Sequence, residues 1–255
     1  MIDILYLAHK RPKFTDASLR TLIANTDWSK ARLVLYTDGD ARPDLPAGSP
    51  PAVHFSCLSD RQHYGGPVAI MNEFLRTRRG SANFVKLDND VMVPPGWLEA
   101  CTAVMDAHPE LGLLGIEPPA SRTPNPQSRW PVPTPEDDCG SRFSGGYLAG
   151  YARCDSIGGI GLMRRSAFAG RAAMRPHSIY GGFSDWQLAH PEVVKGWIVP
   201  PLKVFLLDRL PISPWKELSA EYIAKGWQRP WTDYSLEASA LWDWCDLKTL
   251  ERTNA

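Results

Sequence analysis

The run Lys86-Leu87-Asp88-Asn89-Asp90 carries the densest chemistry in the sequence. Two carboxylates one residue apart, directly after the apolar run Phe84-Val85, can both turn toward a divalent cation. Mn²⁺ or Mg²⁺ takes a few hard protein oxygens and completes its shell with water and substrate phosphates. A calcium-binding helix–loop–helix is excluded, because its central glycine and later acidic positions are missing. A solvated Asp-Asn-Asp turn is the other reading of the same residues. Lys86 shares a strand face with Phe84 and Asp88 by period two, which aims it at a cleft or at the surface. Asp38 ends another apolar run, where a carboxylate can accept a hydrogen bond from a nucleobase N–H or serve only as a turn residue. Gly65 and Gly66 open a helical pattern that reaches Asn72, and glycine turns before helices suit phosphate groups.

The elements that must position these residues follow from hydrophobic period. Residues 2–8 read as a buried strand, ended by the polar stretch His9-Lys10-Arg11-Pro12. Leu19, Leu22 and Ile23 recur at helical spacing, with Thr15 or Asp16 as the expected N-cap. Strands are expected at 32–37, 83–87, 111–116 and near 159–163, and helices at 67–79 and from Pro94-Pro95 to about His108. Strands alternating with helices argue for a mainly parallel α/β sheet, whose ligands gather beyond the carboxyl ends of the strands. Residues 118–140 are Pro-rich, with seven prolines in 118–135, and read as a long shaped loop containing Trp130. Residues 213–255 hold five of the ten tryptophans among helical patterns.

This order of elements resembles the donor half of GT-A fold glycosyltransferases of family two. Its most specific part is the strand with Asp88-Asn89-Asp90 followed by Pro95-Gly96-Trp97-Leu98. The resemblance spans roughly 2–117 and resumes at 158–190. It implies one continuous GT-A-like, Rossmann-type domain: a mixed, mainly parallel sheet flanked by helices. Its parts are a nucleotide-sugar half at 1–117, the Pro-rich loop, an acceptor-binding and catalytic half at 141–212, and a helical Trp-rich extension at 213–255. Donor contacts are implied for Ala8, His9, Arg11, Asp38, Gly65, Gly66, Asn72, Lys86, Asp88, Asn89, Gly159 and Arg164. Metal contacts are implied for Asp88 and Asp90, with His190 as a late ligand or merely a helix-end residue.

Tyr180-Gly181-Gly182-Phe183-Ser184-Asp185-Trp186 resembles the segment where the family carries its Glu-Asp catalytic pair, with Ser184 in place of the glutamate. Asp185 falls on the position of the general base, and an N-cap of a helix beginning near Trp186 is its structural alternative. The resemblance implies a metal-dependent, inverting hexosyl transfer from a nucleotide sugar, in first place a UDP-sugar such as UDP-glucose. The acceptor is expected to be a glycan, a lipid-linked sugar, or a hydroxymethylated DNA base flipped from the duplex.

Composition narrows the field. Lys plus Arg equals Asp plus Glu at 28 each, so no overall charge favours nucleic-acid binding. Five widely spaced cysteines lack metal or redox spacing and read as reduced thiols. No run reaches the roughly 20 apolar residues of a membrane span, and the chain opens on a strand rather than a leader. A soluble cytoplasmic protein is therefore expected. A nucleotidyltransferase would carry glycines after the first strand, and a dinucleotide oxidoreductase a Gly-x-Gly-x-x-Gly there; both are missing. A catalytically inactive nucleotide-sugar-binding module stays open beside the enzyme.

Overall fold

The computed structural model describes residues 1–38, 42–57, 66–77, 80–116, 150–175, 181–199, 201–210 and 213–227. The expectations for Gly65, the Pro-rich loop with Trp130, and residues 228–255 fall outside these segments.

Strands β1 (Ile2–Ala8), β2 (Ala31–Asp38), β3 (Val53–Cys57) and β4 (Asn83–Asp88) form a parallel run in the order β3-β2-β1-β4. Helices α1 (Pro12–Ala24) and α2 (Gly66–Thr77) connect them. The apolar residues of β1 alternate between the two faces. Ile4 and Tyr6 join one core cluster, and Leu5 and Leu7 join the other. Burial on both faces explains why this strand reads as a continuous apolar run.

The sheet continues through both halves of the chain. Beyond β4 lie β8 (Gly161–Arg164), β6 (Leu111–Gly115), β9 (Val194–Val199) and β7 (Gly150–Arg153). β8 is antiparallel to both β4 and β6, whereas β6 and β9 are parallel to each other. β4, β6 and β9 therefore all point the same way. A small second sheet pairs β5 (Val91–Met92) with β10 (Phe205–Leu206).

Helix α3 (Trp97–Ala107) starts after Gly96, which sits at φ 74° as its N-cap, so Pro94 and Pro95 precede the helix rather than forming its first turn. Trp97 is fully buried, and its indole N–H donates to Thr26 Oγ1 at 3.1 Å. Helix α4 spans Gly181–Ala189 and helix α5 spans Trp215–Ala224. Trp215 and Tyr222 of α5 pack on Phe14 of α1, closing a third apolar cluster beside the small sheet. No helix among the described residues is long and apolar enough to cross a membrane.

Candidate active site

Three parallel strands deliver their last residues to one edge. Ala8 pairs with Thr37, one residue before Asp38, and Leu7 pairs with Asp88. Ala8, Asp38 and Asp88 thus stand at the carboxyl ends of adjacent strands β1, β2 and β4, the edge where open α/β sheets bind ligands. The loop after β1 carries His9, Lys10 and Arg11, with Lys10 and Arg11 both left-handed at φ 49° and 52°. Such conformations cost about 1–3 kcal/mol each for non-glycine residues and persist only where surrounding contacts impose them.

Asn89 imposes them here. It is only 2% exposed. Its amide N–H₂ donates to the carbonyls of His9 and Lys10, each at 3.1 Å, and to Thr15 Oγ1 at 2.9 Å. Its Oδ1 accepts from Arg11 Nη2 at 2.5 Å. The amide is therefore spent on the first loop, which corrects the expectation that Asn89 touches the donor: it is a positioning residue. Thr15 supports the same loop and does not cap α1, which begins at Pro12 behind Arg11.

Arg11 projects from that loop onto Asp90, donating to its Oδ2 at 2.9 Å, with Asp208 Oδ2 at 3.9 Å. Burial disfavours the guanidinium charge, but the carboxylates of Asp90, Asp208 and Asp88 outweigh it and raise its pKa. Asp208 arrives through the small sheet: Leu207 N–H donates to the Asp90 carbonyl at 2.9 Å directly after β10. Sequence reasoning missed Asp208, since a two-residue strand leaves no periodic signal.

Lys86 is 5% exposed and donates to Asp88 Oδ1 at 2.7 Å, so it faces the cleft. Gly159 lies beside this pair. A Cβ built there would sit 3.5 Å from Asp88 Oδ2 and 3.6 Å from Lys86 Nζ, so the absent side chain leaves room next to the carboxylate. Asp88 and Asp90 each present one oxygen to a basic side chain. Their other oxygens, Asp88 Oδ2 and Asp90 Oδ1, have no protein hydrogen-bond partner among the described residues. In chemistry two such hard oxygens suit Mn²⁺ or Mg²⁺, which needs few protein ligands, while no group of three or more possible metal ligands occurs among the described residues.

Other expected residues lie elsewhere. Because β8 is antiparallel, Arg164 pairs with Asn83 at the amino end of β4, opposite Asp88. Its guanidinium donates to the carbonyls of Leu111, Met105 and His108, which makes it a structural clamp and corrects its assignment to the donor. His190 precedes β9, again at the far edge, with Nδ1 3.1 Å from Glu192 Oε1 and its ring against Trp186. That placement removes it from the metal set. Asn72 exchanges two hydrogen bonds with the Met174 backbone, at 2.8 and 3.1 Å, so its side chain ties α2 to the segment ahead of α4. Gly66 begins α2.

Asp185 is the fifth residue of α4, exposed on its surface. The helix begins at Gly181, so the capping alternative for Asp185 fails. Gln187, which sequence reasoning passed over, is fully buried. Its Oε1 accepts from Ile157 N at 2.8 Å and its Nε2 donates to the Gly158 carbonyl at 3.1 Å. This fastens α4 to the turn that delivers Gly159 to Asp88.

The mixed, mainly parallel sheet with helices on both faces is a GT-A-like fold. The comparisons with solved structures agree. S. aureus TarS 1–349 in complex with UDP-GlcNAc matches with a TM-score of 0.51 at 12% identity, covering 79% of this chain and 56% of that one. The mannosyltransferase PcManGT from Pyrobaculum calidifontis, in complex with GDP-Man and Mn²⁺, matches with a TM-score of 0.51 at 13% identity, covering 78% and 54%. This chain therefore spans little more than half the length of either neighbour. At such identities the likeness establishes the fold. The sequence matches no family model and no curated protein.

Proposed function

We propose that this chain is an inverting glycosyltransferase that moves a sugar from a nucleotide-sugar donor to an acceptor hydroxyl. The carrying observation is the convergence of Ala8, Asp38, Lys86, Asp88, Asp90 and Gly159 at one sheet edge. The neighbours bound to UDP-GlcNAc and GDP-Man support a nucleotide sugar, and we favour a UDP-sugar such as UDP-glucose. Asp38 binds the base, the His9–Arg11 loop and Lys86 face the diphosphate, and Gly159 gives the sugar room. Asp88 and Asp90 would hold Mn²⁺ or Mg²⁺, which when bound supplies positive charge to the leaving diphosphate. Asp185 takes the proton of the acceptor hydroxyl as that oxygen attacks the anomeric carbon from the face opposite the diphosphate. One displacement inverts that carbon. The acceptor is a glycan, a lipid-linked sugar or a hydroxymethylated DNA base.

Replacing Asp185 by Asn tests the assignment, because it preserves shape and removes the base. With donors and acceptors screened by mass spectrometry, Asp185→Asn should fold normally, keep donor affinity and lose transfer by about 100-fold or more. Transfer near the wild-type rate, or a product that retains the donor's anomeric configuration, would overturn the inverting scheme.

A further inference from the structure

The edge expected to take a divalent cation already holds two basic side chains, and one of them is built in at a cost. Arg11 follows another left-handed residue, and the pair is held by Asn89, a side chain with every polar atom engaged. The result is a guanidinium 2.9 Å from Asp90 and 3.9 Å from Asp208. Like charges at this range in a partly buried site repel strongly, because water screens them little. Lys86 imposes the same penalty at Asp88.

Resting on the nucleotide-sugar reading, we infer that Arg11 is an internal counter-cation that keeps a divalent ion off Asp90 until a nucleoside diphosphate arrives. The diphosphate brings negative charge of its own. Its oxygens complete the shell of the incoming ion and offset the guanidinium, whose planar fork can share them. Metal loading is then conditional on donor binding. An enzyme without donor does not accumulate a cation at its reactive edge. Arg11 acts here through Asp90, as a positioning residue.

The probe is Mn²⁺ itself, counted as free ion by electron paramagnetic resonance on the full chain, with and without UDP or GDP. Wild type should bind Mn²⁺ weakly alone and about tenfold or more tightly with the nucleotide. Arg11→Met should bind Mn²⁺ alone about tenfold or more tightly than wild type. Arg11→Lys keeps the charge and should bind Mn²⁺ alone as weakly as wild type. Adding Asp90→Asn to Arg11→Met should abolish the gain, locating it at Asp90. Folding of each variant is read by circular dichroism. If folded Arg11→Met binds Mn²⁺ no more tightly than wild type, the inference is wrong. If wild type binds Mn²⁺ equally well with and without a nucleotide it does bind, the inference is also wrong, whether or not Arg11→Met folds. If no nucleotide binds wild type, the nucleotide-sugar reading fails, and the gain in Arg11→Met still decides the role of Arg11.

Discussion

Asn89 sits between the two acids and points away from both of their tasks. Its three hydrogen-bonding partners within the first loop and α1, together with Arg11, hold two consecutive left-handed residues in place. Truncation to Ala removes the amide that donates to the His9 and Lys10 carbonyls and accepts from Arg11, which costs about 1–3 kcal/mol. For a chain of this size that lowers Tm by about 2–4 °C per kcal/mol. Asn89→Ala should therefore melt earlier in a thermal scan and lose donor affinity in titration calorimetry, because Arg11 is no longer aimed. Unchanged melting would remove the strap from the account. The sequence shows that three polar residues end an apolar strand. It does not show which of them face the ligand, since the left-handed pair that turns the loop back onto Asn89 has no glycine to announce it.

At the scale of elements, α4 and the turn before β8 act as one unit because Gln187 joins them. Gln187→Leu keeps the apolar volume and leaves the Ile157 N–H and Gly158 carbonyl unpaired, again about 1–3 kcal/mol of stability. If the turn places Gly159 against Asp88, this variant should weaken donor binding as well as lower Tm. A Tm loss with donor affinity intact would confine Gln187 to packing. Long elements were legible from their period: β1, β2, β4, β6, α2 and α3 fall within a few residues of expectation. The two-residue strands β5 and β10 were not, and with them went Asp208. β3, β7 and β9 also escaped: His54 and Ser56 in β3, Gly150 and Arg153 in β7, and Lys195-Gly196 in β9 interrupt the apolar runs that mark a strand.

For the whole molecule, strand direction decides which chemistry meets. The antiparallel strand β8 begins two residues after Gly159 at the site edge and carries Arg164 to the opposite one. A sequence written in one dimension put both beside the donor. The parallel strands β4, β6 and β9 likewise separate Asp88 from His190 by the depth of the sheet. What remains at the edge is Asp38, Asp88, Asp90, Arg11 and Lys86, and Gln187 ties the helix that carries Asp185 to the turn before Gly159. The central claim is that this edge binds a nucleoside diphosphate together with a divalent ion. It is tested most directly by thermal shift of wild type and Asp90→Asn with UDP, GDP, TDP and CDP, each with Mn²⁺ and with a chelator. The account predicts that at least one nucleotide, UDP first, raises Tm with Mn²⁺ by more than with chelator, and that Asp90→Asn loses this increment. A wild-type Tm that no nucleotide moves, or an increment that survives in Asp90→Asn, would contradict it.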